Sequence, residues 1–105
     1  MSFNVLCLAH SPDADPQQHH SQIDTGQYTL FTVIVKNQVQ ALEAAQSMAE
    51  KHQLDSILLC PGFTHSDVAQ IFESLNGKVG VCVARGDGPS NQISAHARQL
   101  AYGTS

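Results

Sequence analysis

Cys60-Pro61-Gly62-Phe63-Thr64-His65 is the stretch where residue types that do chemistry stand closest together in this sequence. A glycine in a tight turn opening onto a helix exposes backbone N–H groups, and the helix dipole adds partial positive charge. A carboxylate or phosphate suits such a place, with Arg85 as a bidentate partner. The stretch lacks the three glycines of GxGxxG and the Gly-Lys-Ser/Thr of a phosphate loop, so it specifies no nucleotide. Thr64 and Ser66 read most simply as helix caps. Cys60, at a strand end beside a helix N-terminus, stands where a thiol pKa falls and the thiolate turns nucleophilic. Its plainer role, shared more strongly by Cys7 and Cys82, is that of a small buried hydrophobe.

Six histidines raise the question of a metal. His10, His19 or His20, and His65, with Asp13 or Asp15, are potential ligands from three loops. No HxH, HExxH or paired CxxC spacing accompanies them, so neither a metal nor a cofactor is expected. Acid–base work is the commoner use of a histidine, and His65 and His19 are the candidates. On a helix the adjacent His19 and His20 would project about 100° apart, so only one of them could face a common site. His52 and His96 read as solvated helix residues, and Lys36 as a solvated cation at a strand end.

The elements that must position these groups follow from the apolar pattern. Phe3–Ala9, Tyr28–Val35, Ser56–Cys60 and Val79–Ala84 are short apolar runs of the kind that form buried strands. Asp15-Pro16-Gln17-Gln18 has the form of a capping box, which predicts a short helix to about Asp24, stopped by Gly26. Asn37, with Gln40 three residues on, caps a helix whose stripe is Ala41, Leu42, Ala45, Met48 and Ala49. Val68, Ile71, Phe72 and Leu75 form the inner face of another helix, ended by Asn76-Gly77. A last helix is expected from Ser90 or Asn91, with Ile93, Ala97 and Leu100 facing inward.

Strands apolar on both faces and separated by helices belong to parallel sheets covered on both sides. The expected fold is therefore a small doubly wound, Rossmann-like α/β domain spanning residues 1–105. It would have a mostly parallel four-stranded sheet with helices on both faces. If His10–Gly26 fails to cross the sheet, the first strand would run antiparallel to its neighbour. Ligands of such folds bind beyond the carboxyl ends of the strands. That edge collects His10, Ser11, Asp13 and Asp15, then Lys36 and Asn37, then Cys60, Gly62, Thr64 and His65, and last Arg85, Gly86, Asp87 and Gly88. The opposite edge offers only Asn4, Gln27, Asp55 and Lys78, ordinary turn and cap residues.

The composition excludes several classes. The formal net charge is −4 and Lys plus Arg number five. Clustered cations are what nucleic-acid binding needs, so nucleic acid is not an expected partner. Three cysteines without a CxxC pair fit reduced thiols in the cytoplasm. The start of the chain has no signal-peptide pattern. No apolar run approaches the ~18 residues of a membrane span, so no membrane partner is expected. A charged fraction of 13% leaves a weakly charged surface that favours a homo-oligomer.

With those motifs placed, the chain resembles a family of short, uncharacterised bacterial proteins catalogued as domain of unknown function 6506. The resemblance lies in Ala14-Asp15-Pro16 with His19, in Cys60-Pro61-Gly62-Phe63 with His65, and in Val79–Val83 closed by Arg85. It spans most of the chain, from the first strand to Arg85. Pro61 stands where the family has glycine, and His10 lies outside the pattern. The resemblance implies an α/β fold and groups Asp15, His19, Cys60, His65 and Arg85, but it names no substrate. The expected function is binding of a small anionic metabolite at the carboxyl edge, by Asp15, His19, Cys60, Gly62, Phe63, His65 and Arg85. A non-catalytic homo-oligomeric assembly protein, and a small enzyme using Cys60, His65 or His19, are the alternatives.

Overall fold

A computed structural model describes residues 1–103; the last two residues of the expected domain lie outside the described residues. The elements in chain order are β1 (Phe3–His10), β2 (His20–Asp24), β3 (Tyr28–Val35), α1 (Gln38–Lys51), β4 (Ser56–Leu59), α2 (His65–Ser74), β5 (Gly80–Val83) and α3 (Gly88–Tyr102). They form one five-stranded sheet of order β2-β3-β1-β4-β5. β1 runs parallel to β3 and β4, and β4 parallel to β5, while β2 is antiparallel to β3. The mostly parallel, Rossmann-like α/β class inferred from the strand pattern is the class of the structure.

The helix expected after Asp15 is not there. Its capping pattern forms a single turn, in which the Asp15 carbonyl accepts from the Gln18 and His19 N–H groups. The turn does not propagate, because no apolar stripe at helical spacing follows it and an isolated short helix gains too little. The chain instead enters β2, a fifth strand exposed along its whole length. Gly26, with φ 99°, turns the β2–β3 hairpin, and its N–H donates to Asp24 Oδ1 (2.7 Å). β2 thus carries the chain back within the sheet, which is how β1 and β3 stay parallel without a crossover helix.

The starts of the next two helices hold as expected. Asn37 Oδ1 accepts from the Gln40 N–H (2.9 Å) and caps α1. Thr64 caps α2 through a complete capping box with Asp67. Ala41 and Ala45 are fully buried, and their small side chains let α1 lie close to the sheet. The core joins Leu6, Leu8, Phe31, Val33, Val35, Ile57 and Leu59 of the sheet to α1 and to Ile71 of α2. All of these strand residues alternate onto one face, so α1 and α2 cover the same side.

Among the described residues no helix packs on the second face, so the expected helices on both faces are not found. α3 begins earlier than expected, with Asp87 at its N-cap and Pro89 in its first turn. Ile93, Ala97 and Leu100 face solvent rather than a core, and no residue of α3 is buried. Phe72, expected on the inner face of α2, is also exposed.

Candidate functional site

At the carboxyl edge, β1 ends in His10, whose ring stacks on Phe63 at 4.0 Å between centroids. Its Nδ1 lies 3.9 Å from Cys60 Sγ. A Cβ at Gly62 would stand 3.0 Å from the same Nδ1, so a larger residue there would push against the ring. Phe63 is 1% exposed and belongs to the core, which fixes the Cys60–His65 turn from below. Burial lowers the His10 pKa, opposed by the Asp67 carboxylate, and so favours the neutral imidazole. Burial, and then the neighbouring Cys60, raise the Cys7 pKa.

The same geometry leaves little for an anion at the start of α2. The Thr64 N–H donates to Asp67 Oδ2 (2.9 Å), and the Asp67 N–H donates to Thr64 Oγ1 (3.1 Å). Two N-terminal donors are therefore engaged, and a carboxylate already occupies the positive end of the dipole. Arg85 reaches over the turn and donates to the Pro61 carbonyl (3.4 Å). His65 is exposed in the first turn of α2.

Asp15 and His19 form a separate unit beside β2. His19 Nδ1 accepts from the Asp15 N–H (2.9 Å), and Asp15 Oδ1 accepts from the Gln17 N–H (3.1 Å). These side chains hold the turn that launches β2. Nearby, the Ser11 hydroxyl donates to Asp13, and this bond does most to hold the Asp13 carboxyl below the usual carboxylate range. Of the expected site residues, the structure gathers Cys60, Gly62, Phe63 and Arg85 around one turn, with His10 added. Asp15 and His19 make no hydrogen bond to that cluster among the described residues.

A second concavity lies elsewhere, on the helix-covered face of the sheet. Because α1 sits over β3 and β1, the helix-facing side of β2 is open, and a groove of about 700 Å³ runs between β2–β3 and α1. Ala44, Ser47, Met48 and Lys51 line its helix wall, at i, i+3, i+4 and i+7. His20 and Gln22 face them from β2, and Pro16 and Gln17 of the Asp15–His19 turn close one end. His52 completes the floor, its ring 4.3 Å from that of Phe31. The lining holds Lys51, His20 and His52 and no carboxylate, although the chain is acidic overall. One signal for it was present: Asp24-Thr25-Gly26-Gln27 between Ile23 and Tyr28 is a short glycine-containing hairpin loop. Reading it as such would have turned His20–Asp24 into an edge strand.

Among the described residues, no three His, Cys, Asp or Glu side chains stand together as a metal site. No helix there is long and apolar enough to cross a membrane. No curated protein and no solved structure matches the chain. A family model does match, over residues 3–99, and that span contains every strand, the Asp15–His19 turn, the Cys60–His65 turn and the groove. The chain therefore belongs to the family of unknown function DUF6506.

Proposed function

We propose that the protein binds a small anionic molecule, and that the groove between α1 and β2–β3 receives it rather than the start of α2. The observation that carries this reading is the lining: Lys51, His20 and His52 converge without a carboxylate in a space of about 700 Å³. That volume falls within the ~300–1,000 Å³ of small-molecule sites. Phe31, Val33 and Met48 supply apolar wall, and Gln17, Gln22 and Ser47 supply hydrogen-bonding groups. Asp15 and His19 act in this reading by shaping the turn at the end of the groove.

A thermal-shift screen against inorganic phosphate, citrate and adenosine monophosphate tests it. A ligand at about 100 times its Kd adds roughly 2.7 kcal/mol. For a domain of this size that is a rise in Tm of roughly 10–20 °C. Lys51→Met should remove the rise, and Lys78→Met, outside the groove, should keep it. A rise that survives Lys51→Met, or its absence with every anion, refutes the groove.

A second reading rests on the 3.9 Å approach of His10 Nδ1 to Cys60 Sγ. A neutral imidazole beside a thiol is the arrangement of a base-assisted nucleophile. Iodoacetamide at pH 7 should then alkylate half-buried Cys60 faster than exposed Cys82. His10→Phe, which keeps a ring against Phe63, should slow Cys60 severalfold and leave Cys82 unchanged. If Cys60 reacts no faster than Cys7, the pair is only packing.

A further inference from the structure

We infer that the protein is a dimer in which α3 of each copy lies on the uncovered sheet face of the other. The topology leaves that face bare. Crossovers between parallel strands are right-handed, so connections that step the same way across a sheet place their helices on the same side. β3-α1-β4 and β4-α2-β5 step the same way, and α1 and α2 share one face. The connection that steps the other way, β1 to β3, carries β2 instead of a helix. The second face has therefore lost the element that would have covered it.

That face is apolar. The register aligns Cys7 with Thr32 and Leu58, Leu58 with Cys82, Val5 with Leu30, and Ala9 with Ile34. No charged side chain alternates onto this side of the five strands. Leu58 is 41% exposed on a strand flanked by neighbours on both edges. Val5 on this side is buried, so the exposure lies toward β4 and β5, at Leu58 and Cys82. Parallel strands are ordinarily covered on both faces, so a bare apolar side is the anomaly that a missing layer would explain.

The missing layer matches α3. This helix packs on no other element among the described residues. Ile93 and Leu100, each 72% exposed, lie with Ala97 on one stripe at i, i+4 and i+7. Arg98 is the one Lys, Arg, Asp or Glu in its span, so an uncharged sheet face meets a nearly uncharged helix. Its 15 residues reach ~22 Å, close to the ~26 Å length of β1 and β3.

The joint between β5 and α3 is close-packed. A Cβ at Gly86 would stand 2.9 Å from Asn91 Cβ and 3.2 Å from Asn91 Cα. The Asn91 N–H donates to the Asp87 carbonyl (2.6 Å). The connection is thus packed against the first turn of α3. A reciprocal exchange covers two helices and two sheet faces, so a standard stable interface of roughly 1,600 Å² needs about 400 Å² from each. The groove lies on the opposite face, so loss of the dimer and loss of ligand binding are separable.

Light scattering on the eluted full chain at ~100 µM tests the inference. The expected mass is twice that of the chain. Leu100→Asp on the helix and Leu58→Glu on the sheet should each halve it, with the circular dichroism unchanged because both positions are exposed within one chain. A wild type of single-chain mass overturns the inference, whether α3 is free or folded onto its own sheet. A dimer that survives either substitution also overturns it, because helix-on-sheet exchange needs both surfaces.

Discussion

Phe63→Ala should cost about 3–5 kcal/mol of unfolding free energy, the usual loss for a fully buried aromatic cut to alanine. For a domain of this size that lowers Tm by roughly 15–30 °C. Phe63 is the residue on which core and carboxyl edge meet: it is 1% exposed and belongs to the core cluster, and its ring is stacked under His10. Phe63→Leu, which keeps most of the volume, should cost on the order of 1–2 kcal/mol. A loss below about 1 kcal/mol for the alanine variant would show that the pocket beneath the turn collapses without it.

The same variant changes the acid limb of stability. Burial depresses the His10 pKa below its ordinary 6.5. Between the folded value and 6.5 the unfolded chain binds more protons, so His10 contributes stability that is present above 6.5 and lost as pH falls through the window. Phe63→Ala opens the ring to water and should shrink that acid-side loss. Urea titrations of both proteins at pH 7 and pH 5 measure the difference. An unchanged acid-side loss would mean that another group carries it.

Leu6→Ala is expected to cost about 2–5 kcal/mol, or roughly 10–30 °C in Tm. Leu6 is fully buried on the central strand, paired with Phe31 and Ile57, and faces α1 and α2. Its neighbour Cys7 points to the other face and is half-buried. Cys7→Ala, measured at protein concentrations low enough for single chains, should cost under about 1 kcal/mol. Equal costs at the two positions would mean that both faces are equally covered in a single chain.

Much of the fold was legible because its signals are local. Phe3–Ala9, Tyr28–Val35 and Ser56–Cys60 announce strands by unbroken β-branched and aliphatic runs. Asn37 and Thr64 mark helix starts through their side-chain acceptors, and both do so in the structure. Asp15-Pro16-Gln17-Gln18 misled because a capping pattern specifies one turn only. Whether that turn grows into a helix depends on a packing surface that Ser21-Gln22-Ile23 does not supply. The stripe Ile93, Ala97, Leu100 predicts an inward face that the structure does not show, because its spacing says nothing about which surface covers it.

The candidate site divides along the same line. That the Cys60–His65 turn lies at the carboxyl edge follows from strand order in the chain, and Gly62 and Phe63 announce its shape. That Asp67 occupies the start of α2, and that His19 is committed to the Asp15 backbone, depends on side-chain hydrogen bonds no spacing rule reports. The groove beside α1 depends on a strand joining the edge of the sheet beyond the reach of the helix above it.

The sequence by itself determined the class of the fold, the central strands, the caps of α1 and α2 and the acidic, weakly charged surface, because each depends on residues within one or two turns of one another. Only the tertiary structure decided that β2 replaces the first crossover helix, which opens the groove on one face and leaves the other bare, and that α3 stands apart from its own core. Those outcomes depend on which surfaces meet across the chain, and pairings of that kind are energies of contact rather than of local pattern.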